Sequence, residues 1–207
     1  MTTSVLGGRD DTSMADGAKR VAIVDGALSC IALKGLRSTT VDDVAQASGL
    51  SRATLYRTIP GGRDAIVAAM VETEVARFFS ALAVAMGQAE SLEEVLVSGV
   101  TTSALWIAGS EALATVLEQE PWVVLRHLSF GEMDHALGVA AAFTRPFLGR
   151  WLDADQADRA ADWVVRIVLS YLLDPDADID LTDRDSVTLL VRHYVLPGIE
   201  ALRLGAP

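Results

Sequence analysis

The chain has one cysteine, Cys30, and only six prolines in 207 residues, and aromatic side chains make up just 6% of it. Each scarcity excludes something. A lone thiol cannot close an intramolecular disulfide, so nothing calls for an oxidising compartment. With so little proline the chain keeps long uninterrupted stretches, rich in alanine, valine and leucine, a usage that favours helices over sheets. No apolar run exceeds about half a membrane span, so no transmembrane helix is expected. The opening MTTSVLGGRDDTSMADG lacks the basic-then-apolar order of a secretory signal. These absences predict an all-α, cytoplasmic protein, and an apolar share of 51% is enough for a substantial core.

Charge is the first positive signal. The formal net charge is −11, which by itself argues against nucleic acid as a partner. Its distribution argues the other way. Residues 17–64 hold Lys19, Arg20, Lys34, Arg37, Arg52, Arg57 and Arg63 against Asp25, Asp42, Asp43 and Asp64, and the excess acid lies elsewhere. A small cationic head on a large acidic body is the footprint of a nucleic-acid module joined to something else.

The head is patterned closely. From Ala18 to Lys34, Val21, Val24, Leu28 and Ile31 recur at helical spacing, and Gly35 follows as a helix end. Thr40 is placed as an N-cap with Asp43 three residues on, the arrangement of a capping box. A short helix runs to Gly49; Ser51 caps a second, from Arg52 to about Ile59, where Pro60 stops it. Two helices this short need the first as a third wall. Val44, Leu50 and Leu55 supply a small core, Ala45 a close approach, and Gly49 a turn at positive φ, which together are the requirements of a helix-turn-helix. The second helix then presents Ser51, Arg52, Thr54, Tyr56 and Arg57 outward. Arginine pairs bidentately with guanine edges, and hydroxyls suit phosphate oxygens. The competing reading is a helical hairpin with a solvated face, but it does not explain why several positional requirements are met at once.

The remainder reads as helices: 63–86, then one capped by Ser91 with Glu94, then 111–120. Next comes a long element from Pro121 with Gly131 and Pro146 as expected kinks, then 155–173, and finally 183–202 after the acidic DPDADIDLTD loop. Broad apolar stripes on the last two long helices, including Ile167, Tyr171, Leu190 and Tyr194, need a cover. Trp106, Trp122, His127, Phe130, Phe143 and Trp163 are candidates for the wall of an apolar cavity, with ordinary core as the alternative for each. No metal, cofactor or catalytic set is expected. His127, His135 and His193 lack ligand spacing, and the acidic loop has Ile179 and Asp185 where a calcium loop needs Gly and Glu. Glu132-x-x-His135 has no second copy, and no phosphate loop or nucleophile elbow is present.

Through TTVDDVAQASGLSRATLYRTIPGGRDAI, residues 18–70 resemble the N-terminal DNA-binding domain of the TetR/AcrR family of bacterial transcriptional regulators. The resemblance implies about nine helices: a head over 17–64 after a disordered tail at 1–16, a fourth helix at 63–86 as connector, and an effector-binding and dimerisation body over 65–207. It implies a homodimer on a double-stranded, palindromic operator, more a repressor than an activator, released by an unknown and largely apolar small-molecule effector. Thr40 and Tyr56 would be phosphate contacts; Arg52, Ala53 and Arg57 would lie near base edges; Arg63 would replace the family's lysine beside phosphate. Thr58 stands where the family often has an aromatic or histidine, and GGRD carries one extra residue. Two alternatives remain: a regulator of this type governed by a protein partner without a small inducer, and a helical enzyme or carrier using the same cavity.

Overall fold

The computed structural model describes residues 7–119, 130–172 and 179–203, and among these residues every regular element is helical. They divide into two compact units. The first contains α1 (Gly7–Lys34), α2 (Val41–Ala47), α3 (Arg52–Thr58), α4 (Gly62–Gly87) as far as Arg77, and α6 (Glu111–Gln119). The second contains the rest of α4, α5 (Leu92–Ala108), α7 (Phe130–Leu148), α8 (Ala154–Leu172) and a C-terminal helix in three parts. Those parts are α9 (Arg184–Leu190), a π-helical turn (Val191–Val195) and α10 (Leu196–Arg203).

The first unit is built around Ile23, Val24, Ala27 and Ile31 of α1, Val44 and Ala45 of α2, Leu55 of α3, and Ile66 and Ala69 of α4. The stripe on α1 is therefore rotated from the expected one: Ile23 is fully buried and Val21 is 44% exposed. Both expected caps form. Thr40 accepts from the Asp43 amide while Asp43 reaches back to the Thr40 amide, and Ser51 accepts from the Thr54 amide. Gly49 has φ 68°, so the turn between the two helices takes the left-handed conformation for which glycine carries no Cβ penalty. The extra residue before α4 is absorbed the same way, with Gly61 at φ 114° and Gly62 at φ 71°.

Two expectations for this unit are corrected. The stretch read as a disordered tail is helical from Gly7, well before Ala18. Once the buried part of α1 is anchored, each added residue gains a hydrogen bond without a new nucleation cost, and no proline interrupts residues 7–17. Residues 111–120 were assigned with the body, yet α6 packs along α1, and Thr115 Oγ1 donates to the Ala32 carbonyl at 3.1 Å.

In the second unit Ala157, Ala160 and Ala161 of α8 are buried against Leu148 and Leu152, their small side chains letting α7 and α8 approach closely. The C-terminal helix buries Val187, Leu190, Val191, Val195 and Ile199. Leu190 is 2% exposed inside this core, so it is not part of an interface stripe, whereas Tyr194 is 66% exposed. The π turn is the cause. A turn wider than 3.6 residues carries the buried row from Val191 to Val195 and leaves Tyr194, which α-helical periodicity would place inward, outside. Arg192 of that turn grips Glu93 of α5 bidentately, at 3.0 and 2.8 Å. α7 continues through Gly131 and Pro146 undivided, the proline lying two residues from its end; the Pro121–Ser129 part of that expected element lies outside the described residues.

The close approach of α1 to α2 sits at Gly26, where a Cβ would lie 3.0 Å from the Ser48 amide nitrogen and 3.3 Å from the Val44 carbonyl. Backbone atoms cannot yield as a flexible side chain does. Gly26→Leu is therefore expected to destabilise the first unit by at least the ~1–3 kcal/mol typical of overpacking, read as a lowered unfolding midpoint by circular dichroism.

Candidate nucleic-acid interface and effector cavity

The recognition surface is set by a single buried residue. Leu55 is fully buried, which fixes the rotation of α3 and turns Ser51, Arg52, Ala53, Tyr56 and Arg57 to solvent, with Thr54 half-buried. The sequence-predicted set on this helix is thus brought to one exposed face. Ser51 and Thr54 are also tied to each other, hydroxyl to hydroxyl at 3.0 Å. Arg52 Nη1 makes an exposed ion pair with Asp42 of α2 at 3.0 Å. Such a pair is worth little in water, so Asp42 orients the guanidinium without holding it back from a stronger partner.

Thr40 is exposed at the start of α2, and its surroundings form a small ionic knot. The Asp43 carboxylate accepts from the Thr40 amide and hydroxyl and faces the Lys34 ammonium at 2.5 Å. Lys34 first, then the Thr40 hydroxyl and amide, hold the Asp43 carboxyl down at about 2. Arg63 is exposed in the first turn of α4. Its guanidinium donates to the main-chain carbonyls of Leu36 at 2.6 Å and Thr39 at 3.3 Å, so it clamps the α1–α2 loop to the first turn of α4. These two contacts give Arg63 a positioning role in the protein without DNA, and they leave the other donors of its guanidinium unassigned.

The second unit contains a cavity of about 330 Å³. Its walls come from four helices: Phe78, Phe79, Leu82 and Met86 of α4; Leu96, Gly99, Val100, Ser103 and Ile107 of α5; Leu137, Ala140, Phe143 and Thr144 of α7; and Val164, Val165, Val168 and Leu169 of α8. Of the six aromatic and histidine candidates, Phe143 is in the wall. Trp106 stands one layer behind it, edge-on to Phe78 at 6.1 Å between ring centres. Trp163 is 36% exposed and lies across Gly198 of α10, where a Cβ would come within 2.8 Å of its ring, so it belongs to the outer surface of α8 and not to the cavity. Trp122 and His127 lie outside the described residues, as does the side chain of Phe130. The residues that sequence reasoning missed are the Phe78–Phe79 pair and Met86, on a helix read only as a connector. The run FFSALAVAM at 78–86, apolar nearly all round, was the available signal that this half of α4 is enclosed.

The remaining candidate residues sit on the outer side of the second unit. Tyr194 is exposed, and Ile167 and Tyr171 of α8 are half-buried. Among the described residues no group of three or more His, Cys, Asp or Glu side chains could hold a metal ion, and no helix is long and apolar enough to cross a membrane.

A buried three-helix scaffold that presents one short, cationic, hydroxyl-bearing helix is a helix-turn-helix DNA-binding module. The profile of the bacterial regulatory proteins of the tetR family matches residues 23–70, the segment that builds this scaffold. Over 184 residues, 87% of each chain, the protein is 30% identical to an uncharacterized HTH-type transcriptional regulator of Mycobacterium tuberculosis. Among solved structures it is similar to AlkX, a TetR family repressor from Dietzia implicated in n-alkane biodegradation (TM-score 0.61, 22% identity, 86% of this chain and 96% of that one). It is also similar to the transcriptional regulator FadR of Bacillus subtilis in complex with stearoyl-CoA (TM-score 0.53, 19% identity, 83% and 96%). The chain belongs to the tetR family of bacterial regulatory proteins: it is a DNA-binding transcriptional regulator and not an enzyme.

The depressed carboxyl of Asp43 has a consequence for pH. A carboxylate held below its ordinary value of 3.8 adds stability that is complete above that value and is lost as pH falls through about 2. Carbon-13 NMR of the Asp43 carboxyl is expected to titrate near 2, with fraying of α2 in the same interval. In Asp43→Asn the fraying should lose its dependence on pH across that window.

Proposed function

We propose that the protein is a homodimeric repressor that grips a palindromic operator with two copies of α3 and releases it when a small apolar molecule fills the cavity of the second unit. The single observation that supports this reading most is the composition of α4. Ile66 and Ala69 in its first half belong to the core under the recognition helix, and Phe78, Phe79, Leu82 and Met86 in its second half are cavity wall. A ligand that favours one placement of the second half biases the first half with it, by its differential affinity for the two placements.

In the bound state Arg52 and Arg57, with Ala53 between them, meet base edges, and Thr40 and Tyr56 meet phosphates, with Ser51 and Thr54 flanking them at the start of α3. Arg63 acts from behind by holding α4 to the loop. Dimerisation uses the outer surface of α8 and the C-terminal helix, where Leu189 (57% exposed), Tyr194 and Trp163 are large apolar groups in the open and Ile167 and Tyr171 border them. Two recognition helices one DNA turn apart read a palindrome that one cannot. The site of action is the cytoplasm, where the operator lies.

Electrophoretic mobility shift against the intergenic DNA beside its own gene tests the interface. Arg52→Ala is expected to lose ~1–3 kcal/mol and relax base preference at one position, while Tyr56→Phe weakens all sequences alike. Operator binding at wild-type strength by both variants would remove α3 from the DNA.

The dimer surface has its own test. Tyr194→Glu should shift sedimentation from dimer to monomer while the circular dichroism spectrum stays unchanged, because Tyr194 lies outside the protomer's core. An undiminished dimer would place the interface elsewhere.

A further inference from the structure

The chemistry of the cavity wall narrows the ligand further than its size does, on the reading that this cavity is the effector site. Two polar side chains face it among the described residues: Ser103 on α5 and Thr144 on α7. Each has one proton, and each has already given it away: Ser103 Oγ to the Gly99 carbonyl at 2.8 Å, and Thr144 Oγ1 to the Ala140 carbonyl at 2.8 Å. What both still offer is an oxygen lone pair. The described wall thus accepts hydrogen bonds from two sides and donates none, and no charged described side chain lines it. A carboxylate or phosphate buried there would lose its water and find no donor among the described residues, which is the costly case for a buried anion. A neutral group carrying an O–H has the complementary proton.

Size follows from the volume. A cavity of about 150 Å³ holds benzene, so by simple scaling the 330 Å³ here holds about a dozen non-hydrogen atoms. Gly99 adds to that room: a Cβ there would take up space as far as the Met86 side chain, in contact with its sulfur at 3.4 Å.

We propose that the cavity selects an uncharged, medium-chain aliphatic alcohol, its hydroxyl donating to Ser103 or Thr144, and rejects the carboxylate of the same chain length.

The test uses the full-length dimer, with n-decanol and decanoate as probes. Binding is read through Trp106, whose ring contacts the wall residue Phe78, and release is read from an operator fragment. At about pH 8, where a free carboxyl near 4.3 is fully ionised, n-decanol is expected to bind at least about tenfold tighter than decanoate and to release the operator. At about pH 5 the gap should narrow as the neutral acid, which carries an O–H of its own, becomes populated. The double variant Ser103→Ala with Thr144→Val should weaken n-decanol by about fivefold while leaving n-decane unaffected or tighter, as expected for one lost hydrogen bond. Decanoate binding as tightly as n-decanol at the higher pH, with operator release, would overturn the ligand class and leave the cavity as the switch. If neither probe binds nor releases the operator, the proposal falls together with the effector reading. Gly99→Leu, which fills the space, should abolish n-decanol binding; retained n-decanol binding would also overturn the assignment.

Discussion

One helix contributes side chains to the cores of both units. α4 begins at a pair of left-handed glycines, is fastened by Arg63 to the carbonyls of Leu36 and Thr39, and gives Ile66 and Ala69 to the core under α3. The same helix ends as a row of Phe78, Phe79, Leu82 and Met86 along a cavity. At its start a side chain as costly to order as arginine is held by two main-chain carbonyls.

The ionic features are consistent with a head that must be well ordered before it meets DNA. Lys34, Thr40 and Asp43 interlock at the start of α2, Arg52 rests on Asp42, and Arg77 joins Asp25 of α1 to Glu74 of its own helix. Individually these exposed contacts contribute little stability. Their common effect is on geometry: they limit where α1, α2 and α3 can point, which reduces the ordering cost left for the binding event.

Much of the head was legible in the sequence because its determinants are local. Thr40, Asp43, Gly49 and Ser51 act on residues within a turn of themselves, and all of them do in the structure what their spacing implies. The body was legible as helices but not as a site. Bulky rings drew attention to Trp106 and Trp163, yet one stands behind the wall and the other on the outside, while small and hydroxyl-bearing residues such as Gly99, Ser103, Ala140 and Thr144 line the space. A cavity exists where side chains are absent, and absence leaves no periodic mark. The contacts of Arg63 with Leu36 and Thr39 were not legible for a related reason: they are made to carbonyls, which every residue has and no sequence advertises. Leu190 and Tyr194 were placed on one stripe because a constant period of 3.6 was assumed through a stretch that breaks it.

That break has an evolutionary meaning. A π turn is what remains when one residue is inserted into an α-helix whose two ends are both pinned by packing. Here Val187 and Leu190 pin one end, Val195 and Ile199 the other, and the surplus bulges at Arg192, His193 and Tyr194. The buried row and the solvent-facing row of this helix are therefore out of step, so the outside can be substituted without repacking the inside. The same core on a helix without the π turn would stand beside a surface rotated by about a quarter turn, one residue's worth of helix.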